Sequence, residues 1–144
     1  VINTNRERFN RMWADPVKHE YMARKVTENG SSLNFKSGMH NSPKAGEVLY
    51  RSSYELVVFQ LLDDLPEVEV YYVEPFSISY KYEDKLKSYT PDLLIHYTDG
   101  EWLVVEIKPE SRMDEPINQA KFSAAQSLYG DRFEVWSEEL IFNA

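Results

Sequence analysis

From Ser52 to Asp63 the apolar residues Leu56, Val57, Phe59, Leu61 and Leu62 crowd nearly every side of a helical turn, and Leu65-Pro66 closes the run. That pattern predicts a largely buried helix ending before the proline. The period then changes. Val68 to Val73 and Phe76 to Tyr82 are rich in β-branched and aromatic residues on either side of Glu74-Pro75, as strands are. Leu93 to Tyr97 and Trp102 to Ile107 are apolar at almost every position, so neither face of these strands is expected to meet water. Helical spacing returns from Pro116 to Tyr129 with Gly130 as its stop, followed by a short strand, Phe133 to Trp136, and an acidic Ser-Glu-Glu-Leu last turn.

The first third reads differently. Arg6 to Trp13 fits a short helix, and Asp15-Pro16 supplies an N-cap with proline at the first helical position, which predicts a second helix from Pro16 to about Glu28. Residues 29–46 are rich in Gly, Ser and Asn and follow neither period, so they are expected to form a linker or a long ordered loop. The chain thus divides into an N-terminal helical arm with its linker, 1–46, and a core, 47–144. The order of elements in the core is that of an α/β or α+β domain.

Composition sharpens this picture. A length of 144 residues with 42% hydrophobic and 14% aromatic residues suffices for one real core. No cysteine is present, which excludes disulfides, thiolate zinc sites and cysteine nucleophiles. No apolar stretch approaches a membrane span, and the arginine-rich start has no signal-peptide core, so a cytoplasmic protein with no membrane partner is expected. A net charge of −8 speaks at first against nucleic acid, but it is unevenly spread: residues 1–51 carry +4 and residues 52–144 carry −12. A basic arm precedes an acidic body, and Lys36, Lys44, Arg51 and, further on, Lys121 are candidate phosphate contacts.

The acidic positions with chemical meaning lie around the turn Thr98-Asp99-Gly100. Two registers are open there. A two-residue turn at Asp99-Gly100 would place Asp92 and Glu106 on opposite faces; a three-residue loop with Gly100 in a left-handed conformation would pair Tyr97 with Glu101 and set Asp92 opposite Glu106. In the second register Asp92, Glu106 and Lys108 share one face, continued by Leu94 with Val104 and His96 with Trp102. Opposed side chains have Cβ atoms ~4.5–5.5 Å apart, close enough for two carboxylates to hold one divalent cation, without which they repel.

Thr90-Pro91-Asp92 followed by Glu106-Ile107-Lys108, preceded by Arg51-Ser52-Ser53-Tyr54-Glu55, resembles the motif of the PD-(D/E)XK nuclease superfamily. Tyr89-Thr90-Pro91-Asp92 is similar to phage junction-resolving endonucleases, and Lys121 through Phe133-Glu134-Val135-Trp136-Ser137-Glu138 to TnsA-type transposase endonucleases and phage head-completion nucleases. Met12-Trp13-Ala14-Asp15-Pro16 faintly resembles DNA-contacting segments of phage homing endonucleases. The resemblance implies a restriction-endonuclease-like core, a mixed central sheet flanked by helices. It also implies a Mg²⁺ site (Mn²⁺ substituting) made by Asp92, Glu106, the Ile107 carbonyl and Glu55, with Lys108 serving the attacking water. DNA is the implied substrate, and a homodimer or higher homo-oligomer the implied assembly for cutting both strands. Among endonucleases a phage or mobile-element enzyme of homing type is expected, since a basic flexible arm before a small core would supply sequence contacts; a junction-resolving, transposon-end or head-completion nuclease and a non-catalytic DNA-binding or assembly protein on the same fold are the alternatives.

Simpler readings stand beside these. Ser52 with Glu55 is also a capping box. His19, His40 and His96 do not recur at metal-ligand spacing, and Trp13, Trp102 and Trp136 are most simply core anchors.

Overall fold

The computed structural model of the protein describes residues 2–14 and 37–142, and of residues 2–4 and 13 the backbone alone. The helix expected from Pro16 to Glu28, with His19 and Lys36, lies outside the described residues, as does the Trp13 side chain. In chain order the elements are α1 (Ile2–Ala14), β1 (Gly38–Ser42), β2 (Gly46–Tyr50), α2 (Ser53–Asp64), β3 (Val68–Val73), β4 (Ile78–Tyr82), β5 (Lys85–Tyr89), β6 (Leu93–Tyr97), β7 (Trp102–Ile107), α3 (Pro116–Tyr129), β8 (Phe133–Trp136) and α4 (Glu138–Ile141).

A mixed sheet in the order β3-β6-β7-β8 forms the centre, with β6 antiparallel to both neighbours and β8 parallel to β7. One face is covered by α1, α2 and α4, through Phe9, Val57, Leu61 and Ile141 among others. The other is covered by α3 and a β4–β5 hairpin, through Ala125, Ile78, Tyr80 and Tyr89 against Val104 and Phe133. This is the mixed, helix-flanked α/β architecture expected of the sequence. Its central strand β7 is buried from Leu103 to Ile107, Glu106 included, as a run apolar at almost every position requires. β6 departs from that expectation at one end, where His96 is exposed, its ring nearly perpendicular to that of Tyr72.

The ambiguous turn takes the three-residue form. Gly100 has φ +89°, Tyr97 N–H donates to Glu101 O at 2.8 Å, and Leu93 pairs with Val105, Leu94 with Val104 and His96 with Trp102. A positive φ of this size is comfortable only for glycine.

Two expectations need correction. Residues 29–46 are not all loop, because β1 begins at Gly38 and pairs antiparallel with β2 from Gly38↔Tyr50 to Ser42↔Gly46. Ala45, Val48 and Tyr50 rest this hairpin against the core. The strand expected from Phe76 begins at Ile78, and a strand absent from the sequence reading, β5, completes its hairpin.

The helix α1 is docked, not detached. Phe9 and Met12 are buried, Phe9 stacks edge-on against Trp136 at 5.1 Å, and buried Asn5 donates to Glu134 and accepts from the Tyr97 hydroxyl. Its arginines are used within the fold: Arg6 pairs with Glu139, and Arg8 and Arg11 with Glu67.

Candidate active site

Extending the β6–β7 register one step past Leu93↔Val105 sets Asp92 opposite Glu106. Both carboxyls stand at the end of the central strands, on the face that Leu94 and Val104 continue. Asp92 Oδ2 accepts the Ile107 N–H at 2.7 Å, and Glu106 Oε1 accepts the Tyr89 hydroxyl at 2.8 Å. Lys108 follows on the same face, its backbone N–H tied to Trp136 O at 3.0 Å and its Nζ 3.5 Å from Glu106 Oε2.

The surroundings push Asp92, Glu55 and Tyr89 toward their neutral forms. Burial raises the Asp92 carboxyl well above its ordinary range; the charges of Glu106 and Glu55 add to this, and the Ile107 N–H opposes it. Burial likewise raises Glu55, against the Arg51 N–H, with Glu74 and Glu106 adding repulsion. Tyr89 is raised by burial and then by Glu106, so it stays a hydroxyl donor.

Glu55 sits in the first turn of α2. Ser52 caps that helix by accepting the Glu55 N–H at 3.3 Å, while Glu55 Oε1 reaches back to the Arg51 N–H at 3.2 Å. The capping box therefore exists, displaced by one residue from the usual Ncap N–H. Glu55 also lines the open cleft of about 300 Å³ that Asp92, Glu106, Lys108, Arg51 and Arg112 enclose. The two roles thus coexist in one residue, one oxygen serving the cap.

The candidate phosphate contacts fare differently. Arg51 stands at the rim of the cleft with its guanidinium on Glu74 at 2.8 Å. Lys121 reaches from α3 to within 5.7 Å of the Tyr89 ring centre, beside the site. Lys44 lies at the opposite end of α2, ~18 Å away along twelve residues of helix, where its ammonium binds the Leu62 and Leu65 carbonyls. That is a helix C-terminal cation, not a group at the cleft. His40 is held by Asp63 at 2.7 Å and His96 is at the far end of β6; neither lines the cleft. Trp136 is a core anchor, and Trp102 is half-buried under the Arg132 guanidinium.

Two supporting residues were not singled out from sequence. Tyr89, the last residue before Thr90-Pro91-Asp92, holds Glu106; its place beside the motif was the available signal. Glu138 accepts the Glu110 N–H at 2.7 Å and the Tyr54 hydroxyl at 3.0 Å, joining the loop after Lys108 to α2 and α4. Burial, then the Glu138 bond, pushes the Tyr54 hydroxyl up to about 12. No sequence pattern announces so distant a bridge.

The donor set suits a hard divalent cation. Two adjacent carboxylates with only one lysine nearby are over-supplied with negative charge, and oxygen ligands are what Mg²⁺ takes. Among the described residues no three His, Asp or Glu side chains converge as a metal cage. A third protein donor would come from backbone. The N–H and C=O of one strand residue point to the same side, so the Ile107 carbonyl faces the side on which its N–H meets Asp92.

Residues 65–135 match the family described as TnsA-like endonuclease N terminal. The head completion nuclease of Enterobacteria phage T4 is 29% identical over 94 residues, 63% of this chain and 63% of that protein. The chain thus spans less than two thirds of that relative's length. Among the described residues no helix is long and apolar enough to cross a membrane.

Proposed function

We propose that this chain, of the PD-(D/E)XK nuclease type by its fold and its matches, is a metal-dependent DNA endonuclease. The observation that supports the reading best is the meeting of Asp92, Glu106 and Lys108 on one face at the mouth of a cleft. A structural protein gains nothing from two opposed carboxyls, one buried and one half-buried, that repel each other.

Asp92, Glu106 and the Ile107 carbonyl would hold Mg²⁺, with Mn²⁺ as a substitute. When bound, the cation would polarise a phosphate oxygen and make a bound water acidic enough to attack. The chain supplies the rest. Ile107 N–H and Tyr89 each bond one oxygen of the two carboxylates and so fix their orientation. Lys108 donates to the attacking water or to the oxygens that gain charge on the phosphate. Glu55, with Oε2 receiving no donor among the described residues, accepts from a water in the same cleft.

The setting we favour is the cutting of phage or mobile-element DNA in a host cytoplasm, as in transposon-end or head-completion enzymes. A homing role was expected from a free basic arm, and the described arginines of α1 are instead committed to Glu139 and Glu67. Cutting both strands from one such site would take two copies of the chain.

Supercoiled plasmid incubated with Mg²⁺, with EDTA, and with EDTA followed by excess Mg²⁺ tests the reading. Nicking that is lost and regained is expected; cutting that persists in EDTA would dismiss the metal. Tyr89→Phe tests the support of Glu106. Removing an oriented donor to a ligand typically costs ~10-fold or more in activity, with a melting temperature close to that of the parent. An unchanged rate would reduce Tyr89 to a packing residue.

A further inference from the structure

Every described arginine pairs with a carboxylate. Lys108 lies against Glu106 and Lys44 on carbonyls. The other described lysines are Lys81, Lys85, Lys87 and Lys121; their side chains have no ion pair or hydrogen bond among the described residues, Lys87 and Lys121 lying only near the Tyr82 and Tyr89 rings, and the fold gathers them on or against the β4–β5 hairpin. In a chain of net charge −8 such a concentration is conspicuous.

We propose that this hairpin is the arm that grips duplex DNA next to the cleaved bond, its lysines on the phosphate backbone. The inference rests on the nuclease reading and says which surface carries the substrate. Pairing of Tyr80 with Lys87 and Tyr82 with Lys85 puts Lys85, Lys87 and Tyr89 on one face of the ribbon. Lys121 joins that line above the Tyr89 ring, and Tyr89 is bonded to Glu106, so the positive track starts at the carboxylates themselves. At ~3.4 Å per residue, Lys87 lies ~7 Å and Lys85 ~14 Å along the strand from Tyr89. DNA advances ~3.4 Å per base pair, so the track spans about four steps of duplex.

The base of the ribbon is tied by Ser77 and Thr90 at 2.6 Å, two residues from Asp92, which fixes the arm's direction relative to the site. On its outer face Lys81 pairs with Leu86, whose side chain is 72% exposed. This pair points away from the line of Lys85 and Lys87, so the ribbon carries cations on both faces, as suits an arm lying in a groove, where side chains meet sugars and base edges. Glu83 and Asp84 occupy the turn at the far tip; they would face away from phosphates and set the outer limit of the contact.

The test uses the full chain with Lys81→Gln, Lys85→Gln and Lys87→Gln together, and a companion with arginine at the same positions. Duplex binding is measured in EDTA across a salt series, and plasmid cutting in Mg²⁺. The expected result is a loss of ~10-fold or more in affinity at moderate salt and a salt dependence shallower by two or three released ions in the glutamine variant. Binding should be restored by arginine, with all variants melting alike. If the parent cuts DNA while the glutamine variant binds with unchanged affinity and salt slope, the lysines only guard the ribbon's edges and the proposal is overturned. If the parent neither binds nor cuts, the nuclease reading itself is what has failed.

Discussion

Lys108→Met is expected to lower the rate of phosphodiester cleavage by about 10²- to 10³-fold, the loss that follows removal of one donor aimed at developing charge. Methionine keeps the unbranched stem of a side chain that is 14% exposed, so the cleft's packing is preserved and only the ammonium is removed. The backbone bond to Trp136 is untouched. Because Lys108 is a single cation beside Glu106, affinity for DNA should change by no more than a few-fold. Single-turnover rates beside a binding isotherm measure the two effects separately. A variant that cuts at the parental rate would remove Lys108 from the chemistry; one that loses binding and rate together would make it a substrate contact.

Asp92→Asn should have the opposite effects on stability and on cation response. Asp92 is half-buried beside Glu106 and its carboxyl is raised well above the ordinary range, so in metal-free protein its ionised form works against folding. The sign follows directly. A folded-state value above the unfolded one contributes stability that is complete below the ordinary carboxylate range and disappears as pH climbs through the raised value. In EDTA the parent should therefore melt lower at neutral pH than near pH 4 on this group's account, and Asp92→Asn, which has no proton to lose, should be more stable than the parent at neutral pH by ~1–2 kcal/mol. Added Mg²⁺ should raise the parent's melting temperature, by ~2.7 kcal/mol equivalent at a hundredfold excess over its dissociation constant, and leave the variant unmoved. A variant that still responds to Mg²⁺ would place the cation elsewhere; one that is destabilised in EDTA would contradict the repulsion.

What the sequence disclosed follows from which forces act locally. α2 and α3 were legible because capping and stop signals sit next to apolar runs: Ser52 before Glu55, Leu65-Pro66 after, Gly130 at the end of Pro116–Tyr129. The central strands were legible because burial on both faces leaves hardly a polar residue in them. The relative placement of Asp92 and Glu106 was only half legible. It depends on whether one glycine adopts a left-handed conformation, and Thr98-Asp99-Gly100 supports either turn. The φ of +89° at Gly100 decides it.

The hairpins were hidden for different reasons. β1 reads Gly-Met-His-Asn-Ser, with no β-branched or aromatic residue; it is a strand because β2 pairs with it and because Ser42 and His40 both bond Asp63 of α2. β5 reads Lys-Leu-Lys-Ser-Tyr and is exposed everywhere except Tyr89. Its turn is Glu83-Asp84, both at positive φ, where asparagine and glycine would have advertised it. Lys44 looked like a phosphate contact because a sequence cannot tell a solvated cation from one that ends a helix.

The double duty of Glu55 limits how this site could be redesigned. A carboxylate that both ties the entry to α2 and lines the cleft cannot be exchanged freely in a library, because a replacement that loses the bond to the Arg51 N–H loosens that entry as it alters the chemistry. Glutamine is the informative exception, since its amide oxygen can still accept the Arg51 N–H while the charge is gone. A designer wanting a new metal preference or a new cutting rate would do better to vary the neighbours that hold no backbone end, and to leave position 55 as fixed scaffolding.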